Sequence, residues 1–196
     1  MRRVLVFLVS AVLLAACGTT GEDAGSEYPN GIVHVQADVV LYSSLDSLAA
    51  DSILVFTGTV IEVKDGFFEP APETEDFRGT QFLAVVVQID ELLQGQTESK
   101  TVEIRWFGYD VYENGNKGPQ EIVNGEFPPR VGEENVWFVT DIPGYIARTG
   151  GEGRLTVKAD GRLHTTGPYS SGAVEEIKVM GVDDLRASLT ERANRR

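Results

Sequence analysis

Short runs of β-branched, aromatic and alternating residues, separated by Gly- and Pro-rich stretches, predict a mainly β protein. Ile53–Val63 is a long run of β-branched and aromatic residues with Gly58 near its middle, the mark of a strand that bends. Gln81–Ile89 is apolar at nearly every position, which predicts a central strand covered on both faces. Thr101–Phe107 places Val102, Ile104 and Trp106 on one face, and Asn135–Thr140, Tyr145–Arg148 and Arg154–Lys158 read as further strands. Thr149–Gly153 reads as a hairpin turn between the last two. Helical spacing occurs near the start of this body, where Ser44 caps a short helix with Leu45, Leu48 and Ala49 on one side. It recurs at its end, where Asp183 caps a helix with Val182, Leu185 and Leu189 in a stripe. Arg192, Arg195 and Arg196 lie at that helix's C-terminal pole, where the dipole favours cations. Residues 65–80 and 108–129 are rich in Gly and Pro and read as loops.

The N-terminus has a different pattern. Arg2 and Arg3 precede an apolar run from Val4 to Ala15, too short to cross a hydrocarbon core of about 30 Å and suited to a signal peptide. Leu14-Ala15-Ala16-Cys17 follows. These four residues resemble the lipobox of bacterial lipoproteins, which implies that residues 1–16 are removed and that Cys17 is lipidated. Two or more acyl chains hold a protein stably at a bilayer, so the resemblance implies an extracytoplasmic protein anchored to the cell membrane or outer membrane. Residues 17–31, polar and without periodicity, read as the lipidated Cys and a flexible tether with a reach of roughly 20 Å. Residues 32–196 then form a single domain.

The five main strands, a curved first strand and a closing helix predict a small closed β-barrel. The order of phrases narrows this. Gly58-Thr59-Val60 is followed by the apolar strand, by Glu91-Leu92-Leu93-Gln94-Gly95, and then by Pro129-Arg130-Val131-Gly132-Glu133-Glu134-Asn135-Val136-Trp137-Phe138-Val139 and a Gly-rich turn. Over residues 53–160 this is similar to exported bacterial proteins with the OB-like barrel of the netrin and tissue-inhibitor-of-metalloproteinase type. The implied fold is an OB-like closed β-barrel with a short N-terminal and a C-terminal helix. Inhibitors of that type act through a free N-terminal Cys and several disulfides. Here Cys17 is expected to carry lipid and is the only Cys, so no residue inherits that role.

Composition bounds the chemistry. The 196 residues carry a formal charge of −13, a poor basis for nucleic-acid binding, which needs clustered Lys and Arg. His34 and His164 both lie between strand-type neighbours, and neither an HExxH, a GxSxG nor a phosphate-binding GxxxxGK[ST] occurs, so neither catalytic residues, a metal site nor a cofactor is expected. Residues 62–76 hold six acids against Lys64, and Asp110–Asn116 is a second acidic stretch. Both read as solvated loops, since neither matches a calcium loop. Phe67 and Phe68 stand out as adjacent aromatics in a polar connection. With the OB-like resemblance they are the first candidates for a contact surface, with Tyr109 and Tyr112 as the second group. Trp106 and Trp137 read as core. The expected function is a non-catalytic binding module for an envelope protein, a peptide or a glycan. A carboxylate-pair hydrolase and a loop-based regulator of an extracellular protease are the alternatives.

Overall fold

The computed structural model describes residues 28–72 and 77–195. Cys17, the leader and most of the tether lie outside them. Among the described residues the chain is mainly β, with nine strands in one sheet: β1 (Ile32–Val35), β2 (Leu54–Pro70), β3 (Phe77–Gln94), β4 (Thr101–Tyr112), β5 (Lys117–Val123), β6 (Glu134–Ile142), β7 (Tyr145–Arg148), β8 (Arg154–Val157) and β9 (Leu163–Thr165). Three helices accompany it: α1 (Leu45–Ala50), α2 (Gly172–Ile177) and α3 (Val182–Ala193). Strands pair in the order β1-β5-β4-β3-β2-β6-β8-β9, and β7 touches both β6 and β4. The pairings therefore run round a circuit, β2–β3–β4–β7–β6–β2, completed on the β4 side by the single pair Ile104↔Ile146.

Two apolar clusters share the sheet. Leu54, Phe56, Val60, Leu83, Val85, Val87, Val102, Ile104, Trp106, Trp137 and Val139 fill the inside of the circuit. Val55, Val136, Phe138, Leu155 and Leu163 face the other way and pack against Leu45, Leu48, Ala173, Ile177, Leu185 and Leu189 of the helices. Alternate residues of β6 thus enter opposite cores, as do those at the start of β2, where Val55 faces one cluster and Leu54 and Phe56 the other. The expectation for Gln81–Ile89 is corrected. Leu83, Val85 and Val87 of β3 point inward, while Phe82, Val86 and Gln88 on its outer face keep contact with solvent.

Three further expectations change. Residues 65–80 are not simply a loop: β2 and β3 continue as a long two-stranded ribbon, paired from Asp65↔Leu83 to Pro70↔Gly79. The segment 108–129 contains the end of β4 and all of β5, joined to a tight turn at Asn124-Gly125 where φ is 53° and 77°. Residues 149–153 do not close a hairpin. β7 and β8 lie one after the other along the same edge of β6, at Val139–Ile142 and Asn135–Trp137, and do not pair together.

The helices follow their caps. The Ser44 hydroxyl accepts from the Ser47 N–H at 3.2 Å, as the sequence predicts. α3 begins two residues earlier than expected: its N-cap is Gly181, whose N–H donates to the Asp184 carboxylate at 3.0 Å, while Asp183 lies inside the first turn and pairs with Arg186. Arg192 does more than suit the dipole. It is buried, pairs with Asp46 and donates to the Leu45 and Asp46 carbonyls, tying α3 to α1.

Candidate functional site

Two register shifts set the outer face of the β2–β3–β4 region. Between the pairs Asp65↔Leu83 and Phe68↔Gln81, β2 has two residues, Gly66 and Phe67, against Phe82 alone. Between Leu83↔Trp106 and Gln81↔Tyr109, β4 has Phe107 and Gly108 against the same Phe82. One residue of the central strand is thus flanked by a β-bulge on each neighbour. A bulge shifts the alternation of a strand by one and re-aims a side chain. Both bulges contain a glycine at close approach. A Cβ on Gly66 would lie 2.8 Å from the Ala84 nitrogen, and one on Gly108 would run into the Gln81 carbonyl oxygen.

The result is a row of three aromatics across three strands. Phe67 and Phe82 have ring centroids 6.4 Å apart, and Phe82 and Phe107 5.9 Å apart. Phe67 is 51% exposed and Phe107 39%, large values for rings that touch other rings. Arg105 lies in the same group. It stands opposite Ala84, whose methyl group leaves room for the guanidinium to cross β3. Its guanidinium carbon lies 4.2 Å from the centre of Phe67, 5.2 Å from Phe82 and 3.5 Å from Tyr145 of β7. Each such cation–π contact contributes roughly 0.5–1 kcal/mol at an exposed site. Among the described residues no carboxylate reaches Arg105, and the nearby Glu103 leans toward Lys64 at 3.9 Å.

This face borders a cleft of about 310 Å³ lined by Phe82, Arg105, Trp106, Phe107, Tyr145 and Arg148, among others. The cleft lies where the outer edge of β4 lacks a strand. β7 meets β4 only at Ile104 and β5 only from Tyr109 onward, so residues 105–108 lie between them. There the Gln120 side chain donates to the Phe107 and Gly108 carbonyls at 3.1 and 2.7 Å in place of a neighbouring backbone. Trp106 and Arg148 form the floor. Trp106 is stacked between Arg148 at 4.9 Å and the buried Arg154 at 5.5 Å. Arg148 is paired with Glu126, a carboxylate only 2% exposed that also accepts from the hydroxyls of Thr166 and, at 3.2 Å, Tyr169. Burial, then the Glu126 charge, pushes the Tyr169 phenol upward. Arg154 pairs with Glu133, and burial pulls its guanidinium below the usual range against the pull of Glu133 and Glu126.

The remaining candidate residues go elsewhere. Phe68 is half-buried and lies across Gly79 of β3, filling the space that a side chain there would take. Tyr109 lines a separate cleft of about 470 Å³ with Tyr28, Val63, Leu83, Lys117 and Pro129. Its hydroxyl donates to Asp65 at 2.6 Å, and Lys117 reaches the same carboxylate at 2.9 Å. Partial burial pushes the Asp65 carboxyl upward, but the bonds from Tyr109 and Lys117 outweigh it and leave it lowered. Tyr112 is exposed at the end of β4. The structure therefore takes Phe67 into the aromatic row and leaves Phe68, Tyr109 and Tyr112 outside it.

Sequence reasoning did not find Phe82, Phe107, Tyr145, Arg105 or Glu126. The alternation of Thr101–Phe107 puts Arg105 and Phe107 on the outer face, a signal for two of them. The Asn124-Gly125 pair, a strong marker of a tight primed turn, points to the turn after β5 that sets Glu126 opposite Val123.

Both histidines are exposed on strands. Among the described residues no group of three or more His, Cys, Asp or Glu side chains is arranged to hold a metal ion, and no helix is long and apolar enough to cross a membrane. The carboxyl of Glu121 is pushed upward by burial and by Asp110, and neither residue lines either cleft. Comparison of the chain with protein-family models, curated proteins and solved structures finds no match.

Proposed function

We propose that this chain is a lipid-anchored, extracytoplasmic binding module that recognises its partner through the Phe67–Phe82–Phe107–Tyr145 face around Arg105. The supporting observation is the double bulge at Phe82. It costs regular pairing on both sides of one residue and brings exposed aromatics together around a cation. Contact surfaces are enriched in aromatics and Arg, and their energy concentrates in such anchors. The framework is an OB-like barrel. The circuit of five strands with an opening along β4 supports that reading, because OB folds are five-stranded and partly open. The anchor is Cys17, supported by the lipobox resemblance.

The test has two parts. A photo-crosslinking amino acid at Phe67, in cells making the full chain, should trap a partner that the same group at the exposed Val179 does not. Equal products from both positions would remove the face from the reading. Independently, Cys17→Ala should move the protein from the membrane fraction to the soluble one, and firm retention would contradict the anchor.

A further inference from the structure

We propose that the ligand of this face is a peptide segment that places a carboxylate on Arg105 and an apolar side chain in the adjoining cleft. The inference rests on the proposed binding face and names its ligand chemistry. The Arg105 guanidinium lies over the Phe67 ring at 4.2 Å and the Tyr145 ring at 3.5 Å, and its stem is fixed on β4 opposite Ala84. A guanidinium has five N–H donors in its plane. None of those of Arg105 is bonded to a described acceptor, and the residue is half-buried. The edge is thus aimed and unused, in a protein whose acids outnumber its bases 30 to 17. Every other arginine from Arg148 to Arg195 stands within 4.0 Å of a carboxylate. A planar, preorganised fork suits a carboxylate, which it can hold through two parallel bonds.

The neighbouring surface separates a peptide from a glycan. Phe67, Phe82 and Phe107 carry no polar atom, and the cleft beside them has a floor of Trp106 and Arg148 already engaged with Glu126. A sugar brings many hydroxyls that must be satisfied, whereas the side-chain polar groups left open in this lining are chiefly the Arg105 edge and the exposed Asp38 carboxylate at its rim. An apolar side chain next to an acid satisfies both halves of the site. The cleft volume of about 310 Å³ is at the small end for ligand pockets and takes one large side chain with part of its backbone.

The experiment is selection from a random twelve-residue peptide library on the full chain held in detergent. Wild type, Arg105→Gln, Arg105→Lys and Phe67→Ala are run in parallel, with folding checked by circular dichroism. Wild type should enrich peptides with Asp or Glu within two positions of a large apolar residue. A selected peptide should bind Arg105→Gln about tenfold or more weakly, the loss expected for a charge-assisted pair, and Arg105→Lys should not restore it. Replacing the acid of that peptide by its amide should cost wild type as much and Arg105→Gln little. Peptides that bind wild type, lose affinity in Phe67→Ala and show no acid preference would overturn the carboxylate inference and keep the face. Peptides insensitive to Phe67→Ala, or no enrichment at all, would overturn both.

Discussion

The Glu126–Arg148 pair offers the sharpest energetic test of how the cleft is held. Glu126 is 2% exposed at its side chain and Arg148 14%, so removing either partner leaves the other charge largely out of water. Removing one partner of such a pair costs about 3–5 kcal/mol, because the other charge is left buried. Glu126→Leu should fall near the lower end, about 3 kcal/mol, since Arg148 lines the cleft and can turn toward water. Arg148→Met should cost more, about 4 kcal/mol, since Glu126 retains only the Thr166 and Tyr169 hydroxyls. For a domain of this size each kcal/mol lowers Tm by about 2–4 °C, so the single variants should melt roughly 6–16 °C early. The double variant removes both charges and leaves the Tyr169 hydroxyl without an acceptor, while Thr166 keeps a long bond to the Arg154 carbonyl at 3.4 Å, a loss of about 1–2 kcal/mol in all. It should therefore be more stable than Arg148→Met. Urea unfolding is the assay, followed by the fluorescence of Trp106 and Trp137, which share the arginine-stacked region. Costs below about 1 kcal/mol for both single variants, or a double variant whose loss equals their sum, would refute the argument that the pair is a buried, coupled unit.

Gly108→Ala should cost about 1–3 kcal/mol and turn Phe107 away from Phe82, because the added methyl meets the Gln81 carbonyl and the bulge must shift; urea unfolding reads the first effect and loss of Phe67-dependent peptide binding the second. Asp65 is lowered in the folded chain, so its bonds from Tyr109 and Lys117 stabilise above the unfolded value of about 4 and are lost as pH falls through the lower folded value. Wild type should lose more stability between pH 5 and 2 than Asp65→Asn, by under about 1 kcal/mol because the pair is half exposed; parallel acid limbs would refute this. Burial, then Asp51 and Glu152, pushes the Tyr42 phenol up to about 12, so Tyr42→Phe should delete the last phenolate step in an alkaline absorbance titration.

The sequence carried the strands that bury a face and the helices that carry a cap. Ile53–Val63, Gln81–Ile89 and Asn135–Thr140 are apolar enough to declare themselves, and Ser44 caps its helix as its position implies. The short helix α2 escaped notice, although Ser171 caps it and Ala173, Val174 and Ile177 keep helical spacing. The ribbon at 65–80 was illegible for a plainer reason. Its two strands carry no alternation of apolar and polar residues, and only the β2–β3 ladder defines it. The candidate site was legible in one residue out of five. Phe67 declares itself as an aromatic among acids, whereas its partners come from β3, β4 and β7. Their meeting depends on two bulges that no local pattern records.

The place of the site follows from how the circuit of strands is completed. A ladder that ran unbroken along the outer edge of β4 would satisfy residues 105–108 with backbone and leave no cleft. Instead β7 meets β4 at one residue, β5 joins only from Tyr109, and the intervening carbonyls turn to the side chain of Gln120. An opening of this kind must be stopped against water, since Trp106 and the inner core lie directly behind it. Arg148 does this by stacking on Trp106, and Glu126 balances the charge that the stopper brings in. The bulges that re-aim Phe67 and Phe107 lie beside the same gap, so aromatics gather at its rim. The ionic floor and the aromatic rim are thus two consequences of one irregularity in the sheet. Gly108 joins them, since its bare Cα permits the bulge and its carbonyl accepts from Gln120. A substitution there should therefore disturb stability and binding together, whereas Phe67→Ala should disturb chiefly binding, with a stability loss of about 1 kcal/mol from the Arg105 and Phe82 contacts.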